Sequence, residues 1–498
     1  MAYVVYRRDE EGVKEALVAG ERHELVESEY GKNEYLVEFL RELGIWEVLC
    51  SLRPEVKKEN GFSPHLLNGL LILFNLMHLG HLSRAGVVLR DGKLLTDLGF
   101  TVEQVKKAEQ ADRGVVHQDT LRNHLQRIEE KEAKRVFYEV VKLVRRKRLV
   151  RGKVYVADGF VVEVYGKTYE GAGRVWDRDE GCWVVGYKVV ILLNVEEDRE
   201  RIVGVAMGPV GTDERVLLCE ILDDLTERVC PVRDMIELLI LDRGYWGARF
   251  LSRLKEEYGI DYLTLVPSEV GLVEDVRGLS RLPEHKPQAA KVKKGGKKRP
   301  RTKELEVSGI PGVEYTSDGC TMRVNAVLTR HVDKETGEVH EWVYVTTLPL
   351  GRHPEKWIEK YGRRWTVENE GIRQLSQEWR VKTPVGRKFR AIWAQVVMLM
   401  VLYNGVKVWE MKRPKDVEEL RQEMKRRGRQ SYLLGHTLVV FVPRRRICAT
   451  MTGLRYGELM AAMAERQGRE QALARLKRLL EEGVSIEEAI ERVKRNLN

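Results

Sequence analysis

Cysteine is sparse and scattered in this 498-residue chain: Cys50, Cys182, Cys219, Cys230, Cys320 and Cys448 include no C-x-x-C pair. That argues against a structural zinc site and against a disulfide framework, and it suits a reducing cytoplasm. The opening residues, MAYVVYRRDEEG, lack the basic-then-apolar layout of a signal peptide. The longest apolar-looking stretch, LLNGLLILFNLMHLGHL, is broken by Asn68, Asn75, His78 and His81, which fits a core helix and not a membrane span. Ser63 and Pro64 ahead of it supply a helix cap and a first-turn proline. No internal repeat is visible.

What is present is an ordinary globular composition, 43% apolar and 33% charged, in a chain long enough for roughly two to four domains. The net charge of +10 leans toward polyanionic partners. Its distribution says more. The run KVKKGGKKRPRTK holds Lys293, Lys294, Lys297, Lys298 and Arg299, and VRRKRLVRGK begins at Val144. Each is either a phosphate-tracking stretch or a solvated loop.

Residues 1–150 read mostly helical. In DTLRNHLQRI, Asp119 or Thr120 can cap a helix whose apolar stripe is Leu121, Leu125 and Ile128. Arg122, Asn123, Gln126 and Arg127 then face outward, as on a helix that reads base edges in a major groove or on any amphipathic helix. From Lys153 the texture changes to Val-rich strands: KVYVADGFVVEVYG, CWVVGYKVVILLNV and RIVGVAMGPV. Helix, buried strand, helix and strand come next, so the order β-β-β-α-β-α-β predicts an α/β domain with a ribonuclease-H-like core. After Pro267 regularity fades, and an exposed or flexible segment is expected to about residue 303, then a hairpin from MRVNAVLTRHV and VHEWVYVTTL, and helices from Pro354 onward.

Two acids interrupt apolar strands. Asp158 ends VYVAD and Asp242 ends ELLILD. Either alone is a common turn former. Two on one sheet are harder to dismiss, because open α/β sheets place ligands at strand ends and carboxylates are the ligands Mg²⁺ prefers. A third acid on a packed helix completes a site for two ions roughly 3.5–4 Å apart. Glu368 in YGRRWTVENE is the candidate, because steps of three and four residues line up Tyr361, Arg364 and Glu368 on one helix side.

In this order VYVADG, LILDRGYW and YGRRWTVE resemble the DDE transposases of the insertion-sequence-four group, bacterial cut-and-paste elements. Their signature Tyr-x2-Arg-x3-Glu-x6-Lys is matched by Tyr361, Arg364 and Glu368, with Leu375 at the lysine position. The separations, 84 residues from Asp158 to Asp242 and 126 from Asp242 to Glu368, leave room for the family's β-rich insertion.

The resemblance implies catalytic, metal-holding Asp158, Asp242 and Glu368, with two Mg²⁺ ions (Mn²⁺ substituting) per site. It implies DNA contacts at Tyr361, Arg364 and Lys188, and Trp342 as a stacking platform for a flipped base, against the plainer reading of Trp342 as strand core. Trp365 is expected to pack. The expected organisation is a helical 1–150 for DNA-end binding, 151–267 and 353–411 for the core, 268–352 for the insertion with its basic loop, and 412–498 as a helical C-terminal region for DNA binding or dimerisation. The implied partners are transposon-end and target double-stranded DNA and a second copy of the chain, with no membrane, in a prokaryotic, nucleoid-associated setting. A transposase that has lost catalysis and a nuclease that cuts without joining remain the alternatives.

Overall fold

Strands that are apolar at nearly every position demand cover on both faces, and the larger part of this chain is built around them. The computed structural model describes residues 6–29, 33–55, 62–86, 90–111, 114–166, 168–177, 181–196, 200–294, 301–317, 319–332, 336–435, 437–466 and 471–494. The chain divides into two compact units, residues 128–408 and residues 1–127 with 409–498.

The first unit is a mixed α/β structure around one large sheet. Its strands are β3 (Val154–Glu163), β4 (Gly173–Asp177), β5 (Cys182–Asn194), β6 (Arg201–Pro209), β7 (Leu238–Leu241), β8 (Asp261–Leu265), β9 (Gln288–Lys294), β10 (Arg301–Ser317), β11 (Cys320–Val332) and β12 (Val339–Thr346). They are ordered β4-β5-β3-β7-β8-β12-β11-β10-β9, with β6 also paired to β5. The strands β3, β7 and β8 run parallel, and the pairs on either side are antiparallel. Parallel neighbours need crossovers, and helices Glu214–Arg228 and Ala248–Glu256 lie between β6, β7 and β8 in the chain. Helix Glu214–Arg228 is capped by Asp213 and buries Leu217, Leu218, Ile221, Leu222 and Leu225.

Helix Phe389–Lys412 is long and apolar enough to cross a membrane by length and composition, but 94% of its apolar window is buried inside the protein. Asn404 on it bonds both the N–H and the carbonyl of Ile202, at 2.8 and 2.7 Å, beside a register shift between β5 and β6. A buried amide that supplies both halves of a strand partner satisfies backbone groups the bulge would orphan.

Several expectations change here. The span after Pro267 is not irregular: it holds helix Gly271–Leu279 and the hairpin β9–β10. The strand β10 was hidden by Pro311 and Gly312, which sit at a bulge where Gly312 takes φ +70°. Lys293 and Lys294 lie on β9, opposite Thr302 and Arg301, while Lys297, Lys298 and Arg299 lie outside the described residues.

The second unit joins both ends of the chain. Its sheet has the order β1-β14-β13-β2, from β1 (Arg7–Arg8), β2 (Glu24–Ser28), β13 (Thr437–Val442) and β14 (Ile447–Met451). Both end regions had read as helical. The helix after Ser63 forms over Pro64–Leu76 with the expected cap. Helix Gln118–Gln126 also forms and buries Leu121 and Leu125, but its cap is His117, not Asp119 or Thr120. Arg122 pairs with Asp119, and the Arg127 carbonyl accepts the Glu55 N–H at 2.9 Å.

Candidate active site

The register between β3 and β7 ends at Ala157 opposite Leu241. Asp158 and Asp242 are the next residues on these parallel strands, so the sheet itself sets two carboxylates side by side. Asp158 is not at a strand end, as its sequence suggested: β3 continues to Glu163, paired with β5. Only the partner on its other edge stops.

The third element arrives as an interrupted helix. Helix Glu355–Tyr361 gives way to a short turn Arg364–Thr366 and then to a π-helical stretch, Val367–Ile372, that carries Glu368. Such stretches are rare and cluster at functional sites. A Cβ at Gly371 would sit 3.6 Å from Ile191 and Leu193, so this turn lies over the sheet face that also bears Asp158. The widened turn also rotates the residues beyond it. Leu375 is fully buried, whereas Arg373, Arg380 and Lys382 are exposed.

Arg364 ties these parts together. Its guanidinium lies 2.5 Å from Glu368, 3.7 Å from Asp242 and 4.0 Å from Asp158. The Tyr361 hydroxyl donates to Asp242 at 3.4 Å. Burial pushes the Asp158 carboxyl up to about 7, with Glu214 and Glu368 adding to the rise. The N–H of Gly159, 2.8 Å from Asp158 Oδ1, and Arg364 work the other way.

Beside Asp242 opens a cavity of about 470 Å³, walled by Leu265, Trp342, Tyr361, Arg364 and Trp365 among others. Trp342 is half-buried on β12 and stacks on His340 at 5.9 Å. Trp365, expected to pack, is 56% exposed, with the Arg364 guanidinium 4.9 Å from its ring centre. The break in the helix turns it outward.

Of the other expected positions, Lys188 on β5 bonds Glu214 at 2.8 Å. Arg122 and Arg127 belong to the second unit. Two residues near the acids had escaped notice. Glu214 directly follows the cap Asp213, and Tyr245 follows Asp242 by three; the first reads as a helix-start acid and the second as core.

Among the described residues no three acidic, histidine or cysteine side chains stand close enough to enclose a metal ion as they are. The cation among Asp158, Asp242 and Glu368 is Arg364. Three hard oxygen donors gathered around one positive group are nonetheless the donor set a divalent ion takes, so the residues fit such an ion once the guanidinium withdraws. No curated protein matches the chain. Residues 151–404, which contain all three acids and the strands that align them, match the family described as Transposase DDE domain, and the chain belongs to that family.

Proposed function

We propose that the protein is a cut-and-paste DNA transposase of the insertion-sequence-four group, cleaving transposon ends and joining the freed 3′-hydroxyls to target DNA. Family membership implies a ribonuclease-H-like core, DNA as partner and nuclease and strand-transfer chemistry with divalent metals. The observation that carries the finer reading is the gathering of Asp158, Asp242 and Glu368 about Arg364.

In this reading the three carboxylates hold two Mg²⁺ ions, for which Mn²⁺ substitutes. The chemistry supplied by such ions is activation of the attacking oxygen and stabilisation of the leaving one. The protein's own groups do the positioning. Tyr361 steadies Asp242, and Arg364, freed from the acids, takes a backbone phosphate, to which its fork is suited. Trp342 receives an extruded base in the cavity beside Asp242, where stacking is worth about 1–3 kcal/mol, and this favours excision through a hairpin. Arg373, Arg380 and Lys382 are the exposed cations available for the DNA contact that Leu375 cannot make.

Residues outside 151–404, including Arg122 and Arg127, recognise the ends. The run containing Lys293, Lys294, Lys297, Lys298 and Arg299 tracks phosphates, so binding weakens with salt. Two ends must be brought together, which calls for a dimer. The deciding experiment is a Mg²⁺-dependent strand-transfer assay on labelled DNA ends taken from the inverted repeats flanking the gene. Joined product is expected. Cleavage without joining would make the protein a nuclease, and binding alone a transposase descendant that has lost catalysis. Asp158→Asn, Asp242→Asn and Glu368→Gln should each lower cleavage by about 10³-fold or more while DNA binding persists.

A further inference from the structure

The hairpin of β4 and β5 runs out past the rest of the sheet. The β3–β5 ladder ends at Glu163 opposite Gly186, and β6 joins β5 only from Tyr187. Among the described residues, Cys182, Trp183 and Val184 pair with β4 alone. This ribbon continues in the direction of β3 beyond Asp158, on the end of the sheet where β7 delivers Asp242. Ile191 stands opposite Asp158, and Trp183 lies eight residues earlier on β5, an even number, so Trp183 shares the Asp158 face. Its cross-strand partner Trp176, and Arg174 two residues before that, are on the same face. At the usual strand rise the tryptophans stand roughly 26 Å from Asp158, the length of about eight base pairs.

Trp176 is 47% exposed and Trp183 52%, and their rings meet edge to face at 5.4 Å. The Arg174 guanidinium lies 4.2 Å from the Trp183 ring centre. A cross-strand aromatic pair steadies a ribbon, but two half-exposed indoles bearing a cation also make the kind of surface that marks a binding site. The root of the ribbon indicates what covers it. The Glu170 N–H donates to the Arg387 carbonyl at 2.9 Å, and Lys388 pairs with Glu170 at 3.7 Å. From Arg373 to Lys388 the chain carries five exposed cations, Arg373, Arg380, Lys382, Arg387 and Lys388, against one acid, Glu378. That segment starts just beyond the stretch bearing Glu368 and ends at the ribbon, so positive charge leads from the three acids to the root of the arm. A polyanion complements this surface. A second copy of the chain does not, because a twofold contact would set one Arg174 against the other.

We propose that the β4–β5 ribbon is an arm that grips the duplex leaving the active site, with Trp176 and Trp183 stacking on bases at an opened step and Arg174 meeting the adjoining phosphate. The proposal rests on the DNA-transposase reading above. The cations between Arg373 and Lys388 carry the backbone across the gap between Asp158 and the arm. Two kinds of contact then meet on one ribbon. Stacking depends little on salt, whereas each phosphate contact releases counterions.

The test is fluorescence anisotropy of the full-length protein, over a range of salt, on two sets of labelled end duplexes. One set runs past the cut on both sides by more than the reach of the arm, and the other is trimmed to half of that reach. Trp176→Ala and Trp183→Ala should each weaken binding of the long duplexes by about tenfold without changing the slope of affinity against salt. Arg174→Gln should lower that slope by about one. All three should match the parent on the trimmed duplexes. Parental affinity of both tryptophan variants for long duplexes would overturn the proposal, and so would a loss that persists on the trimmed ones. Parental DNA binding with a smaller assembly by analytical ultracentrifugation would make the ribbon an interface between copies instead. Should the alanine variants not fold, Arg174→Glu decides alone, because parental affinity for long duplexes would reject the arm. Failure of the parent itself to bind any end duplex would sink the DNA reading together with the arm, whereas failure of the arm leaves the parent's binding and strand transfer intact.

Discussion

Arg364 is the residue on which the site turns. With its side chain only 11% exposed, one guanidinium offsets the repulsion among Asp158, Asp242 and Glu368. It cannot lose its proton, so the carboxylates are cleared only when it moves, and in the proposed function a DNA phosphate is what draws it. Arg364→Gln should therefore bind Mn²⁺ more tightly than the parent without DNA, by about tenfold, while end cleavage falls by about 10²-fold or more. Calorimetric titration checks the first half, and an unchanged affinity would mean that Arg364 does not compete with cations. Asp158 makes a second prediction. Its folded value of about 7 lies above its ordinary 3.8. The native state thus holds the proton more tightly, and its stability falls as pH rises from near 4 to 7, by about 4 kcal/mol at most. Asp158→Asn should be more stable than the parent at pH 8 and equal to it near pH 4. Urea denaturation at both values tests this, and a gap of the same size at each would refute the assignment.

At the level of elements, burial decides what can be read in advance. The strands β3, β5, β6, β7 and β8 are legible because both faces are covered and nearly every position is apolar. The same logic exposes Asp158 and Asp242, acids where packing asks for Val. The strand β10 is not legible, since Pro311 and Gly312 mimic a loop, and neither is β2, whose partner β13 lies more than 400 residues along the chain. Glu214 was hidden because an acid after Asp213 looks like helix-start chemistry, and Trp365 because only the break in its helix turns it outward. Helix Gln118–Gln126 shows the limit in another way. Its outward residues drew notice, yet it is fixed by His124, whose Nε2 meets Asn68 Oδ1 at 2.7 Å while Asn68 Nδ2 donates to Cys50 and Leu52 carbonyls. Burial lowers His124 to about 4. The unfolded chain therefore binds the proton first, and stability is lost as pH falls from 6.5 toward 4, by about 3 kcal/mol. Scanning calorimetry of His124→Gln should show less acid sensitivity than the parent; parallel pH profiles would exclude His124 as the cause.

At the scale of the whole molecule, the family match ends at residue 404, and the chain folds the remainder partly from its two extremes. The strand β13 is the hinge of that arrangement, pairing β2 from the beginning of the chain on one edge and β14 on the other. One apolar core contains Val13, Ala16 and Leu17 together with Leu438, Val440, Ile447, Tyr456 and Ile490. His23 meets the Tyr456 hydroxyl at 2.6 Å and Arg445 pairs with Glu21. Removing either end strips the other of its sheet partner and exposes an apolar helix face, a loss larger than the few kcal/mol of margin a domain has. Residues 1–127 alone should therefore be unfolded by circular dichroism, and adding 409–498 as a second chain should restore structure. Assigning end recognition to this unit has a functional consequence. A chain shortened to residues 1–408 keeps Asp158, Asp242 and Glu368 but should lose selective binding to the inverted repeats. Undiminished selectivity in the shortened chain, measured by competition against unrelated DNA, would place end recognition within residues 128–408 instead.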